Sequence, residues 1–257
     1  MMSQEYQQQL RSAIEALLAT GDEAIAYFTR HDLLGEDIEP TRPVQAMAEP
    51  HKILREQSAG GWWQSPTKKA PVYPAGHPRL VATFKCFRLL VERYRLDREI
   101  TPITKAAEYL FTFQTNEGDI RGFIGNQYTT YYTGYVISLL IQAGYASDPR
   151  VEKGIKWLLD MRQDDGGWSI PILTRSLDGQ TMYRLTSFYA EPVEPDRTQP
   201  FSHNWTDMVL RAFAVHPVYC KSKEAHRAGE LLKSSFFQPD AYPSYKAASY
   251  WTRFVFW

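Results

Sequence analysis

Cysteine is scarce, with two residues, Cys86 and Cys220, in a chain of 257. Two are too few for a disulfide framework or a paired-cysteine metal site, so a reducing, cytoplasmic setting is expected and both read as packing residues. Net charge is lacking as well, because 29 Lys+Arg meet 29 Asp+Glu. Phosphate backbones and anionic bilayers both call for a basic footprint, so no nucleic-acid partner is expected and membrane contact would be peripheral. No apolar run approaches the roughly 20 residues that span a bilayer. The opening Met1-Met2-Ser3-Gln4-Glu5 lacks the basic-then-apolar order of a secretory leader. Aromatics, in contrast, are plentiful: 7 Trp, 16 Tyr and 13 Phe make up 14% of the residues. Such richness builds either a packed core or an aromatic-lined cavity.

Helical periodicity runs along almost the whole chain. Tyr6–Leu18 and Glu23–Phe28 carry apolar residues at helical spacing, and His51–Gln57 follows Pro50 at a tolerated first position. Arg79–Tyr94, Ile103–Gln114, Thr130–Ala143, Val151–Arg162, Thr206–Val215 and Lys223–Phe236 continue the series. Strand-like alternation is rare, so the class is all-α. Amphipathic helices alternate with nearly all-apolar ones, as two layers would require, with an outer layer wet on one face and an inner layer buried. Residues 171–204 break the rhythm with Pro192, Pro195, Pro200 and many charges, and read as a long functional loop. The expected organisation is an N-terminal helical segment over 1–40 and a repeat domain over 41–257.

Self-similarity supports that division. Lys105-Ala106-Ala107-Glu108-Tyr109-Leu110 runs on to Gln114 and Gly118, and Lys153-Gly154-Ile155-Lys156-Trp157-Leu158 runs on to Arg162, Gly166-Gly167 and Trp168. A partial copy ends at Gln57 and Gly60-Gly61-Trp62, and a degenerate one runs from Arg227 to Phe236. Units about fifty residues apart suit one helical hairpin per repeat. The small residue admits a neighbouring helix, glycine ends the helix with positive φ, and the glutamine amide holds a loose backbone end. Gln57, Trp62, Gln114, Trp157, Gly167 and Trp168 are therefore read as structural.

These copies resemble the QW motif of squalene and hopene cyclases and the related repeats of protein prenyltransferase β subunits, over roughly Gln45 to Trp257. Ile120 and Arg162 depart from the motif. The resemblance implies an α/α toroid of helical hairpins around an apolar cavity that accepts isoprenoid chains. The chemistry does not follow from the family. An acidic DxDD motif and a DDxxD magnesium site are missing, and the Asp160, Asp164 and Asp165 group reads as a solvated, capping turn. Neither cysteine follows an Asp as the prenyltransferase zinc site would need, so no metal and no cofactor are expected.

Candidate site residues lie on the helices that would line the ring. Tyr131, Tyr135, Ser138 and Gln142 form one polar stripe, facing either the cavity or a neighbouring helix. In Ser202-His203-Asn204-Trp205-Thr206-Asp207, a His203–Asp207 arrangement with Tyr135 nearby is the candidate acid machinery; a capped helix with an Asp207–Arg211 pair is the plainer reading. Burial would raise the Asp207 pKa and Arg211 would lower it. Trp205, Tyr250, Trp251 and Arg253 are candidate substrate contacts, with Arg253 either binding an anionic headgroup or stacking in the core. The loop could close one mouth as a lid. Arg121, Arg175 and Arg184 would suit a diphosphate there.

Three functions follow. The first is a cyclase- or prenyltransferase-like protein that binds or transforms an isoprenoid or other apolar molecule by acid catalysis. The second is a non-catalytic toroid scaffold for protein or lipid, and the third a carbohydrate-active α/α barrel with paired carboxylates. The apolar run Thr252-Arg253-Phe254-Val255-Phe256-Trp257 and the repeat count together suggest an incomplete ring or a C-terminally truncated sequence.

Overall fold

Each periodic stretch becomes a helix, with ends shifted by a few residues. A computed structural model describes residues 4–38, 46–65, 76–187 and 190–242. Within them the α-helices are α1 (Gln4–Leu18), α2 (Glu23–Phe28), α3 (Ala48–Arg55), α4 (His77–Arg88) and α5 (Thr101–Phe111). There follow α6 (Thr130–Leu140), α7 (Pro149–Asp160), α8 (Gly179–Ser187), α9 (His203–Val215) and α10 (Lys223–Ser234). Single π-type turns extend α2, α4 and α6. Among the described residues there is no strand, only an isolated bridge between Gln114 and Ile120. Helix α3 begins before Pro50, which falls in its first turn, where a missing N–H costs nothing.

Two layers account for the alternation in the sequence. Helix α6 packs between α4 and α9, while α5 lies against α4, α10 against α9, and α7 against both α6 and α9. Helix α6 touches α4, α7 and α9, which is why Thr133 through Leu140 are all buried. Glycine sets the closest approaches. A Cβ on Gly134 would lie 2.6 Å from the Val209 Cα, and one on Gly154 would lie 2.7 Å from the Ile137 Cδ1.

The turn after each outer helix is built to one plan. Gly61, Gly118 and Gly166 all have positive φ. Each lies against the outer helix of the next repeat, at Lys105, Lys153 and Arg227 respectively. These are the basic residues that head the repeat copies. Gln57 Nε2 donates to the carbonyls of Gly61 (3.1 Å) and Pro102 (2.8 Å), and Gln114 Nε2 donates to those of Gly118 and Arg150 (both 2.8 Å). The glutamine thus ties its own turn to the first turn of the next outer helix. Arg162 replaces this device with a bond to the Leu159 carbonyl alone.

Two positions after the turn glycine stand Trp63, Ile120 and Trp168. Their backbone N–H groups donate to buried threonine hydroxyls on the inner helices, Thr83 (3.2 Å), Thr133 (3.0 Å) and Thr206 (2.8 Å). Trp63 and Trp168 also each donate their indole N–H (2.7 Å) to the carbonyl ten residues earlier. The repeat tryptophan of the first copy is therefore Trp63, one residue after the expected Trp62. Trp62 is only half-buried, and the Arg79 guanidinium covers its ring. Trp157 is buried against Tyr128. Gly167 serves close approach, since a Cβ there would meet the side chain of Phe201.

The N-terminal helices join the repeats through Asp22, which caps α2 and pairs with Arg93 at 2.5 Å. Residues 171–187 and 190–204 are more ordered than a loop. Asp178 accepts from the N–H groups of Gln180 and Thr181, starting α8, a helix the composition concealed. Under it lies a separate apolar cluster of Ile170, Ile172, Trp205 and Tyr242, with Leu177, Met182 and Leu185 alongside.

Candidate functional site

The three inner helices converge on Tyr135. From α6 its hydroxyl donates to Glu92 Oε2 (3.1 Å) in the turn extending α4, and the Arg211 guanidinium of α9 lies 5.2 Å from its ring centre. Burial and the Glu92 charge raise the Tyr135 pKa, while Arg211 and Arg88 oppose them. Tyr135 thus stays a phenol, able to donate a hydrogen bond but far too weak to protonate an alkene. An aromatic band leads away from it: Phe84 meets Tyr135 edge-on at 5.3 Å, and Tyr132 stacks on Phe123 at 4.0 Å. Tyr131, at 4.4 Å from Tyr132, ends the band beside the cluster beneath α8. Tyr131 and Tyr132 are partly exposed.

The expected stripe on α6 divides. Tyr131 and Tyr135 join the band, but the Ser138 hydroxyl donates to the Tyr135 carbonyl (2.7 Å) and Gln142 to the Ser138 carbonyl (3.3 Å). Both polar groups are spent on their own helix.

The expected acid machinery is not assembled. The Asp207 side chain is 59% exposed and pairs with Arg211 at 3.6 Å. His203 is buried, yet its neighbouring carboxylate is Asp240, with His203 Nε2 3.5 Å from Asp240 Oδ2. Burial lowers the His203 pKa, and the Asp240 charge works against that. Asp240 Oδ2 also accepts from the Ser202 hydroxyl (2.6 Å), and Oδ1 accepts from the Tyr242 N–H (3.1 Å). Ser202 caps α9. Trp205 packs on Tyr242 at 5.2 Å, so this group fastens residues 240–242 to the start of α9. Tyr250, Trp251 and Arg253 lie outside the described residues.

At the same end the excursion is stapled down. Asn126 Nδ2 donates to the Ala190 carbonyl, Gln127 Nε2 to those of Leu185 and Glu191, and Gln127 Oε1 accepts from the Val193 N–H. Gln163 donates to the carbonyls of Asp196 and Gln199. Arg121 grips the fully buried Asp119 with two nitrogens (2.8 and 3.0 Å) and also reaches Glu117 at 3.0 Å. Arg175 donates to the carbonyls of Glu194 and Pro195. Arg121 and Arg175 are thus committed to the protein rather than offered to a diphosphate. Asp165 bonds the N–H groups of Gly167 and Phe201, in keeping with its reading as a turn cap.

Among the described residues, no group of three or more His, Cys, Asp or Glu is placed to hold a metal ion, and no helix is long and apolar enough to cross a membrane. Sequence reasoning missed Glu92, Asp240 and Gln127. Glu92 carries a signal, being the acidic member of a polar series at helical spacing with Lys85, Arg88 and Arg95, while Asp240 and Gln127 sit in turns without a spacing signal. No protein-family model matches the chain, and no curated protein matches it.

Proposed function

We propose that the chain is an arc of an α/α toroid whose inner helices bind an apolar, isoprenoid-type molecule, with residues 171–204 as the lid. The observation that carries this reading is the convergence of α4, α6 and α9 on Tyr135, with the band Phe84–Phe123–Tyr132–Tyr131 running from it to the excursion. Aromatic faces give a hydrocarbon chain large contact area, and a few placed polar groups orient its one polar end. Tyr135, Glu92 and Arg211 are those groups here. The forward-docking glycine turns support the ring reading, since each sets its own hairpin against the next outer helix.

Binding is favoured over acid-catalysed turnover. The fully buried carboxylates Asp119 and Asp240 are both engaged, by Arg121 and by the start of α9, and Asp207 is solvated. Organic extracts of the purified protein, analysed by mass spectrometry, should contain an isoprenoid or related lipid. Farnesol should bind saturably, and Tyr132→Ala should weaken it about tenfold, the scale of one lost aromatic contact. Extracts free of lipid together with no farnesol binding would overturn the reading.

A further inference from the structure

Helices α6 and α9 run parallel: both start beside the Trp168 turn, where Thr130 and Thr206 bond Ser169 and Trp168, and Gly134 meets Val209 further along. At about 1.5 Å per residue, their far ends lie roughly 18 Å from the lid. There a cleft of about 490 Å³ opens between the chain leaving α6 and the chain leaving α9. This size lies within the range of small-molecule sites. Ala146, Pro149, Pro217 and Val218 give it apolar walls, and Glu152 and His216 its polar groups.

His216 is 5% exposed. Its Nδ1 accepts the backbone N–H groups of Val218 (3.1 Å) and Tyr219 (3.3 Å), so the ring hydrogen resides on Nε2. The buried Nε2 has no hydrogen-bond partner among the described residues. Buried donors are normally satisfied, so this one marks where an acceptor belongs. Glu152 is held in place by the Tyr219 hydroxyl (2.8 Å) and Lys156 (3.4 Å), both on Oε1, and its side chain is 41% exposed. The C-terminal end of α9 adds negative potential to that of the carboxylate.

We propose that this cleft binds a small aliphatic amine carrying a carbonyl or hydroxyl oxygen. The ammonium pairs with Glu152 Oε2, the oxygen accepts the His216 Nε2 hydrogen, and the hydrocarbon lies against Pro149, Pro217 and Val218. The site is independent of the isoprenoid reading, because it shares no residue with the aromatic band.

L-Leucinamide is the probe, followed by calorimetry and by the His216 imidazole resonances. One saturable site is expected, with the His216 signals shifting. Glu152→Gln keeps an oxygen for Tyr219 and should weaken binding about tenfold through loss of one charge-assisted bond. Val218→Lys, at a position 70% exposed, places a competing cation at the mouth without disturbing the core and should weaken it as well. N-Acetyl-leucinamide, without the ammonium, and 3-methylbutylamine, without the carbonyl, should both bind more weakly. Failure of leucinamide to bind, equal affinity for Glu152→Gln, or equal affinity of the acetylated probe would each overturn the proposal. Farnesol binding should be unchanged in both variants, which separates this site from the band.

Discussion

His203 shows how a residue type can be read from sequence while its partner cannot. It is the first residue of α9, and helical side chains lean toward the N-terminus. It therefore points off the helix end, where residues 240–242 return, and not along the face toward Asp207. Helical spacing reveals neighbours at i+4 but is silent about a carboxylate beyond the next helix. The pairing has a pH consequence. Burial sets the folded-state pKa of His203 below the value in the unfolded chain, about 6.5. In the window below that value the unfolded chain takes up the proton more readily, so stability falls as the pH drops from about 7 toward 5.5. Urea midpoints measured across this range should decline for the native protein and decline less for His203→Gln. An identical decline in the variant would assign the effect to other groups.

Among the elements, the repeat turn was legible wherever its parts stand in fixed register. The glutamines at 57 and 114, the glycines and the basic residue heading each repeat copy proved to lie at one junction, repeated between successive hairpins. The register slip at Trp62 has a plain cause: Gly60-Gly61 and Gly166-Gly167 look alike as dipeptides, but positive φ falls on the second glycine of one pair and the first of the other. The inner-helix threonines were invisible because their spacing from the turn varies, at 20, 13 and 38 residues. Helix α8 was hidden by its polar composition, being nucleated by the Asp178 side chain rather than by an apolar stripe. The turn makes a direct test. Gln114→Ala strands the carbonyls of Gly118 and Arg150, at a cost of about 1–3 kcal/mol. Arg162→Ala, at the equivalent position of the next turn, removes one long bond and should cost less than about 0.5 kcal/mol. Urea denaturation of both variants compares them; equal losses would mean that the amide bridge is not what couples the hairpins.

At the scale of the molecule, the described residues divide into a main core, continuous from the α2 region through α10, and a small satellite core beneath α8. Subglobal opening follows such a division, because a segment with few apolar contacts of its own detaches before the body unfolds. The polar fastenings of the excursion lie mainly on three residues of the body: Asn126, Gln127 and Gln163. Gln127 is the central one, being 1% exposed and bonding backbone at Leu185, Glu191 and Val193. Its loss leaves two carbonyls and one N–H to find water, which they do most readily when the excursion lifts. Gln127→Ala should therefore speed amide exchange at least tenfold across residues 171–204, equivalent to about 1.4 kcal/mol of local stability. Exchange in α6 and α9, which belong to the main core, should stay near native rates. If the excursion is the lid over the aromatic band, farnesol should also enter and leave the variant faster, while its dissociation constant changes little. Uniform acceleration across every helix would show instead that excursion and body unfold as one unit, and opening of residues 171–204 could then not govern access to the band.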